Sequence, residues 1–127
     1  MSSDIITEVL INLNEELDLR RVELSQWLFG EVMDIPARVM VASGLCHGYA
    51  KIASERLLDL GVVVRLVGSP THVFLTDGEK YYDSMLTQGA ELSQLTRWNK
   101  PLIEYDEDTL IKEFYSYHEG LVLLRNS

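Results

Sequence analysis

The chain has a single cysteine and no long apolar run. Each of these two absences excludes a class of protein. One cysteine cannot form an intrachain disulfide, so we expect a protein of the reducing cytoplasm. The longest apolar runs fall well short of the roughly 18 residues that a membrane span needs. The first residues also lack the basic start and apolar stretch of a signal peptide. We therefore expect no membrane partner.

Basic residues are scarce as well: 11 Lys and Arg against 20 Asp and Glu leave a formal net charge of −9. Binding to nucleic-acid phosphates needs a basic patch, and we see none, so we expect no nucleic-acid partner. The simpler interpretation of the acids is a solvated surface, and the alternative is an acidic face that docks a basic protein partner or mimics nucleic acid. The acids near the two ends of the chain are Asp4, Glu8, Glu15, Glu16, Asp18 and Glu23, then Glu104, Asp106, Glu107 and Asp108.

The length of 127 residues suits a single domain, residues 1–127. With 46% apolar and 24% charged residues, the composition is that of an ordinary globular protein. Apolar residues at helical spacing, together with a later run of strand patterns, predict an α+β fold. The predicted helices are 4–32 with a break near Asn14, 46–60, a short one at 90–95, and 106–124 with Asp106 as its cap. Residues 37–42 are ambiguous between strand and helix.

Three strands are predicted in succession, with no βαβ repeat. The first is the β-branched stretch 62–67, which a turn at 68–70 separates from a hairpin. Asp77-Gly78 is the dipeptide favoured in a two-residue type I′ turn. This turn places three pairs directly opposite one another: Thr76 and Glu79, Phe74 and Tyr81, His72 and Asp83. Opposed β-carbons lie about 4.5–5.5 Å apart, close enough for a carboxylate to hold an imidazole.

Cys46 begins the helix predicted over 46–60, where a helix N-terminus favours the thiolate and its amides can bind an oxyanion. With His72 as base and Asp83 to orient the imidazole, these are the parts of an activated cysteine nucleophile. The alternative for Cys46 is a buried thiol acting as a small hydrophobe. For His72 and Asp83 the alternative is a cross-strand salt bridge.

The other two histidines are weaker candidates. His47 adjoins Cys46, but neighbouring side chains on a helix diverge, so we interpret it as a rim or substrate contact. His118 lies on the last predicted helix and is more simply a packing histidine that leans toward the core. The chain lacks the closely spaced ligand pairs of structural zinc sites, and a Cys46, His72, Asp83 zinc site has no local signature. Phosphate-loop and dinucleotide motifs do not occur, so we expect no metal and no cofactor.

The central segment resembles a known family. Residues 43–50 read Ser-Gly-Leu-Cys-His-Gly-Tyr-Ala, and a helix ending in Leu-Gly and a strand containing Val64-Arg65 follow. Together with His72 at the start of one strand and Asp83 at the end of the next, they resemble the transglutaminase-like branch of the papain-like superfamily. The segment from His72 to Asp83 also resembles small phage and bacterial proteins of this type, and the resemblance to the family covers residues 40–86. Phe74 stands where the family commonly has tryptophan.

The resemblance implies a cysteine-bearing helix packed on a small antiparallel sheet, with Cys46, His72 and Asp83 as catalytic residues. It implies cysteine-dependent acyl transfer, most simply hydrolysis of a peptide or protein amide by a protease, amidase or deamidase. Gly44, His47 and Trp27 are then candidate substrate-binding residues, and Gln26 and Trp27 candidate oxyanion donors. Because the family includes inactive members, the alternative is a non-catalytic acidic interaction protein, a phage or bacterial inhibitor or adaptor on the same fold.

Overall fold

A computed structural model describes residues 2–69, 71–95, 102–114 and 116–125, and its architecture is α+β. The helices are α1 (Ser2–Asp18), α2 (Arg21–Phe29), α3 (Ala37–Gly44), α4 (Cys46–Asp59), α5 (Glu107–Glu113) and α6 (Tyr117–Arg125). The strands are β1 (Arg65–Ser69), β2 (His72–Thr76), β3 (Tyr81–Tyr82) and β4 (Ile103–Tyr105), and a 3₁₀ turn covers Leu92–Gln94. None of the described helices is both long and apolar enough to cross a membrane.

The four strands form one antiparallel sheet in the order β3-β2-β1-β4. Successive side chains of a strand point to opposite faces, and here both faces of β2 are buried. One face packs with the helices in the main core and contributes Leu66, Val73, Leu75, Tyr82 and Tyr105. The other face covers a smaller core formed by Val67, Phe74, Ala90 and Leu95. His72 opens β2 on the side of this smaller core, because it is two residues before Phe74.

Helix α4 is the central helix of the main core. It packs against β2, α1 and α6. Ala50 and Ala53 are fully buried, which lets the helix approach its neighbours closely, as their small size predicts. A Cβ atom added to Gly48 would lie 3.1 Å from the side chain of Leu124, so α4 and α6 also meet closely. Gly61, with φ of 80°, follows the helix at the predicted end.

The N-terminal helical region breaks later than predicted. The break lies at residues 19–20, between α1 and α2, and not at Asn14. The Asn14 side chain donates to the carbonyl of Ser84 (3.0 Å) and accepts from the hydroxyl of Tyr49 (2.7 Å). Because these tertiary partners satisfy the amide, it does not compete with the backbone of the helix.

The ambiguous stretch 37–42 is helical and belongs to α3. Pro36 precedes the helix in an extended conformation. The amide of Ala37 donates to the carboxylate of Asp18, 2.9 Å away. Asp18 thereby satisfies one of the free amides at the start of α3 from a different helix. No local sequence pattern predicts this cap, because its two residues belong to different helices.

The predicted first strand and turn are shifted along the chain. β1 begins at Arg65 and not at residue 62, and it continues through Gly68 and Ser69, which we expected to turn. Gly68 pairs with Val73 across the ladder. A Cβ atom on Gly68 would lie 2.0 Å from the carbonyl oxygen of His72, so only glycine lets β1 come this close to β2. Residue 70 of the predicted turn lies outside the described residues.

The hairpin register differs from the predicted one by two residues. Thr76 pairs with Tyr81, and not with Glu79, so the connection is a four-residue loop and the two-residue type I′ turn is wrong. Such a turn needs positive φ at both central residues, and only Gly78 has it. The Asp77 carboxylate accepts from the amides of residues 79 and 80, both at 2.9 Å, and these bonds hold the wider loop.

The C-terminal part contains more elements than predicted. The single helix expected over 106–124 is two helices, α5 and α6, and the short strand β4 precedes them. Asp106 does cap α5, accepting from the amide of Thr109 at 2.8 Å, which confirms the predicted start. The helix expected at 90–95 is only the 3₁₀ turn, while Ala90 pairs with Tyr81. The turn predicted at 99–101 lies outside the described residues.

Candidate functional site

His72 and Asp83 form a buried pair. The Nε2 atom of His72 lies 2.7 Å from Oδ2 of Asp83, and each residue is only 6% exposed. The other carboxylate oxygen, Oδ1, accepts from the amides of Met85 and Leu86, both at 2.8 Å. The rings of Phe74 and His72 form a T-shaped contact with centroids 4.5 Å apart. The carboxylate is therefore fixed by backbone donors, and it fixes the ring in turn.

Cys46 is the first residue of α4 and is 7% exposed. Its thiol hydrogen-bonds to the imidazoles of His72 and His47, and it accepts from the backbone amide of Val73. Since Nε2 of His72 is occupied by Asp83, Nδ1 is the ring nitrogen that serves the thiol. The structure thus brings Cys46, His72 and Asp83 together in the order thiol, imidazole, carboxylate.

The surroundings move the pKa values of Cys46 and His72 in opposite directions. Burial alone would raise the pKa of Cys46, but the hydrogen bonds with His47 and His72, the charge of His72 and the Val73 amide lower it from 9.0 to about 6. Burial would lower the pKa of His72, but hydrogen bonds to Asp83 and Cys46 and their charges raise it from 6.5 to about 9. Between these values the favoured state is a thiolate beside an imidazolium.

The helix N-terminus contributes less to this state than the sequence suggests. Only Leu45 separates Cys46 from the end of α3. The carbonyl end of one helix therefore adjoins the amide end of the next, and their partial charges oppose each other. The hydrogen bonds of the thiol and the charge of His72 account for its lowered pKa.

His47 lies closer to the thiol than predicted. We expected its side chain to diverge from that of Cys46, yet the two hydrogen-bond. Its ring is 3% exposed and stacks on Phe114, with centroids 4.6 Å apart and planes 13° apart. Its Nε2 atom has no hydrogen-bond partner among the described residues. His47 thus lacks the carboxylate that orients His72.

Two cavities flank the site. One, of about 290 Å³, is lined by Cys46, His47, Gly44 and Phe114 among others, so Gly44 and His47 border the same cavity as the thiol. The other, of about 590 Å³, is lined by His72 and Asp83 and by apolar side chains from residues 74–95. Ala42 and Thr71 line both cavities, so the two are neighbours that share a wall.

The remaining candidate residues line neither of these two cavities. Trp27 is on α2, 40% exposed, and it lines neither of the two cavities. Gln26 precedes it and is exposed. His118 is exposed on α6, with its ring against Tyr117, so the expectation that it leans into the core is wrong.

Several residues of the site were not identified from the sequence. Val73 acts through its backbone amide, which its apolar side chain does not reveal. Ala42 and Thr71 form the wall between the cavities and carry no distinctive chemistry. The apolar residues beyond Asp83 have no clear helix or strand period, and only the folded chain brings them to His72.

Metal and family comparisons add no further assignment. Within the described part of the chain, no group of three or more His, Cys, Asp or Glu side chains could hold a metal ion. No family model, no curated protein and no solved structure matches this chain.

Proposed function

We propose that this protein is a cysteine-dependent acyl-transfer enzyme that hydrolyses an amide bond of a peptide or protein. One observation carries the proposal: Nε2 of His72 lies 2.7 Å from a carboxylate oxygen of Asp83, while the thiol of Cys46 hydrogen-bonds to the same ring. A nucleophile, a base and a group that orients the base are the minimum machinery of thiol catalysis. Burial of all three keeps water from screening their interactions.

The fold supports assignment to the transglutaminase-like branch of the papain-like superfamily. The nucleophile begins a helix that packs on an antiparallel sheet, the histidine opens a strand, and the aspartate follows the next strand. This chain order of thiol, imidazole and carboxylate is the order that the sequence resemblance implies. A cytoplasmic location suits the assignment, since a reducing compartment keeps the sole thiol free.

In the proposed reaction the Cys46 thiolate attacks the carbonyl carbon of the amide, and a carbon–sulfur bond forms. The His72 imidazolium then gives its proton to the amide nitrogen, the carbon–nitrogen bond breaks, and the amine leaves. A water molecule attacks the thioester while neutral His72 takes its proton. The carbon–sulfur bond breaks, a carboxylic acid leaves, and the thiolate–imidazolium pair is restored. Asp83 holds the ring throughout.

The oxyanion of the tetrahedral intermediate needs donors near the thiol. The backbone amide of Cys46 is the candidate donor, because the first amides of a helix lack partners within their own helix. This contact is made only as the carbonyl becomes tetrahedral, so it stabilises the transition state more than the substrate.

The experiment is the hydrolysis of p-nitrophenyl acetate, an activated ester that tests the thiol without requiring the natural substrate. We expect an initial burst of p-nitrophenol and a transient mass increase of one acetyl group on Cys46. Both should disappear in Cys46→Ala and in His72→Ala. The matched control is His118→Ala, which removes an exposed histidine and should leave both signals intact. Hydrolysis that persists in Cys46→Ala at the wild-type rate overturns the proposal.

One observation favours a second candidate, a non-catalytic protein that binds a basic partner. The acidic residues near both ends of the chain that the sequence singled out are solvent-exposed, among them Asp4, Glu15 and Asp108. Such a surface attracts a cationic protein over about 8 Å at physiological ionic strength. Binding of a basic partner should then survive Cys46→Ala and weaken steeply with salt. Salt-insensitive binding would count against this candidate.

A further inference from the structure

We propose that the cavity beside His72 is a specificity pocket for a bulky, uncharged apolar group on the amine side of the scissile amide. The inference rests on the proposed function and adds a substrate class to it: amides whose leaving amine carries an aromatic or large aliphatic group. The cavity holds about 590 Å³, within the usual range for ligand pockets of about 300–1,000 Å³.

The position of the cavity assigns it to the amine side of the bond. His72 lines this cavity and Cys46 does not, whereas Cys46 lines the smaller cavity and His72 does not. The acyl carbon must sit at the sulfur, since it forms the bond to Cys46. The leaving nitrogen must sit at the imidazole, since it receives the proton of His72. A group attached to that nitrogen therefore extends into the cavity on the His72 side.

The lining determines what kind of group fits. Phe74, Leu86, Ala90 and Leu95 supply an apolar wall, and Met85, which is 50% exposed, lies at its rim. Among the residues that the structure describes, the charged groups of the lining are the His72 imidazolium and the Asp83 carboxylate, which pair with each other, and no Lys or Arg lines the cavity. A charged group on the substrate would leave water for an apolar wall that offers it no ion-pair partner of its own. The lining therefore favours an uncharged apolar group.

Two small amines test the pocket without requiring turnover. Phenylethylamine and ethylamine carry the same charge and differ by one aromatic ring, so each resembles a leaving amine with or without the apolar group. We expect phenylethylamine to bind at least about tenfold more tightly, because even a single methylene in an apolar pocket is worth about 10- to 200-fold. Binding is followed by the NMR signal of the His72 ring, which His47→Phe and His118→Ala variants distinguish from the other two histidines.

Two matched lysine variants locate the binding. Leu86→Lys places a cation on the cavity wall, and because Leu86 is partly exposed its ammonium group can still reach water. It should weaken phenylethylamine binding about tenfold or more. Leu92→Lys adds the same charge on the 3₁₀ turn, where the side chain is 55% exposed, and should leave binding unchanged. Neither residue belongs to the proposed catalytic machinery.

The outcomes of these experiments distinguish a failure of the pocket proposal from a failure of the proposed function. Equal affinity for the two amines, or a perturbation of His47 without His72, overturns the pocket even where ester hydrolysis depends on Cys46. Hydrolysis of p-nitrophenyl acetate that is independent of Cys46 overturns the proposed function whatever the amines do. Tight phenylethylamine binding that Leu86→Lys and Leu92→Lys weaken equally places the ligand elsewhere and also contradicts the inference.

Discussion

The two sides of Cys46 each present a buried histidine to the same thiol, yet they differ in what supports the ring. On one side Asp83 holds Nε2 of His72 at 2.7 Å, and two backbone amides hold the carboxylate in turn. On the other side His47 is held by stacking on Phe114, and its Nε2 has no partner among the described residues. The difference is a carboxylate that stabilises the imidazolium.

The largest effect is expected from His72→Ala. It removes both the imidazolium beside the thiolate and the group that we propose transfers the proton, so hydrolysis of p-nitrophenyl acetate should fall about 10²–10⁴-fold. The pKa of Cys46 should rise at the same time, since a hydrogen bond and a positive charge are lost. The measurement is the rate of ester hydrolysis per folded molecule, with circular dichroism as the control for folding. If His72→Ala reduces ester hydrolysis less than the matching His47→Ala variant does, then His47 and not His72 is the more important histidine for the reaction.

Asp83→Asn tests whether the carboxylate is what distinguishes the two sides. The amide keeps the shape of the side chain and an oxygen for the amides of Met85 and Leu86. It removes the negative charge that raises the pKa of His72, so that pKa should fall. Because the carboxylate no longer orients the ring or stabilises its protonated form, we expect at least about tenfold slower hydrolysis. NMR titration of the His72 ring gives the pKa directly, and an unchanged value would contradict the assigned role.

Gly68→Ala disturbs the His72 side without touching the His47 side. Its Cβ atom would lie 2.0 Å from the His72 carbonyl oxygen, so β1 and β2 must move apart. Overpacking of this kind costs about 1–3 kcal/mol of the free energy of unfolding, which urea denaturation measures. The shift of His72 should also raise the pKa of Cys46. Arg65→Ala, at the exposed start of the same strand, is the control and should change neither quantity. A Gly68→Ala variant as stable as wild type would show that the ladder is looser than described.

The smallest effect is expected from His47→Phe. Phenylalanine keeps the stack on Phe114 and removes a buried nitrogen without a described partner, whose burial costs about 1–3 kcal/mol. We expect ester hydrolysis within about tenfold of wild type and a free energy of unfolding no lower than wild type. The pKa of Cys46 should rise, because one hydrogen bond to the thiol is lost, but less than in His72→Ala. A loss of hydrolysis as large as that of His72→Ala would make His47 a second catalytic group.

The pairing of His72 with Asp83 was predictable although the predicted register was wrong. The hairpin slips by two residues, and side chains on a strand repeat every two residues, so the same face still carries both groups. Asp83 lies just beyond β3, and the imidazole reaches it diagonally and not straight across. A slip of one residue would have put the two on opposite faces. The predicted pairing of the two side chains holds because the register error is an even number of residues.

Other features of the site depend on contacts that no local pattern carries. The contact of His47 with the thiol is not expected for adjacent residues of a helix and could not be predicted from the sequence. The apolar wall of the larger cavity combines Phe74 with residues after Asp83. The course of these later residues is set by the Asp83 carboxylate and by the pairing of Ala90 with Tyr81. By contrast, the helix start at Cys46 and the cap at Asp106 follow from local residues, and both were predictable.

The most direct test of the central claim, a thiolate stabilised by His72, is the rate of Cys46 alkylation by iodoacetamide as a function of pH. Only the thiolate reacts, so a pKa lowered to about 6 predicts a rate that rises through pH 6 and is nearly constant from pH 7 to pH 8. Above pH 9, where His72 loses its proton, the thiolate remains and alkylation continues. A rate that rises only near pH 8.5, the pKa of about 8.5 for a free thiol, would contradict the account.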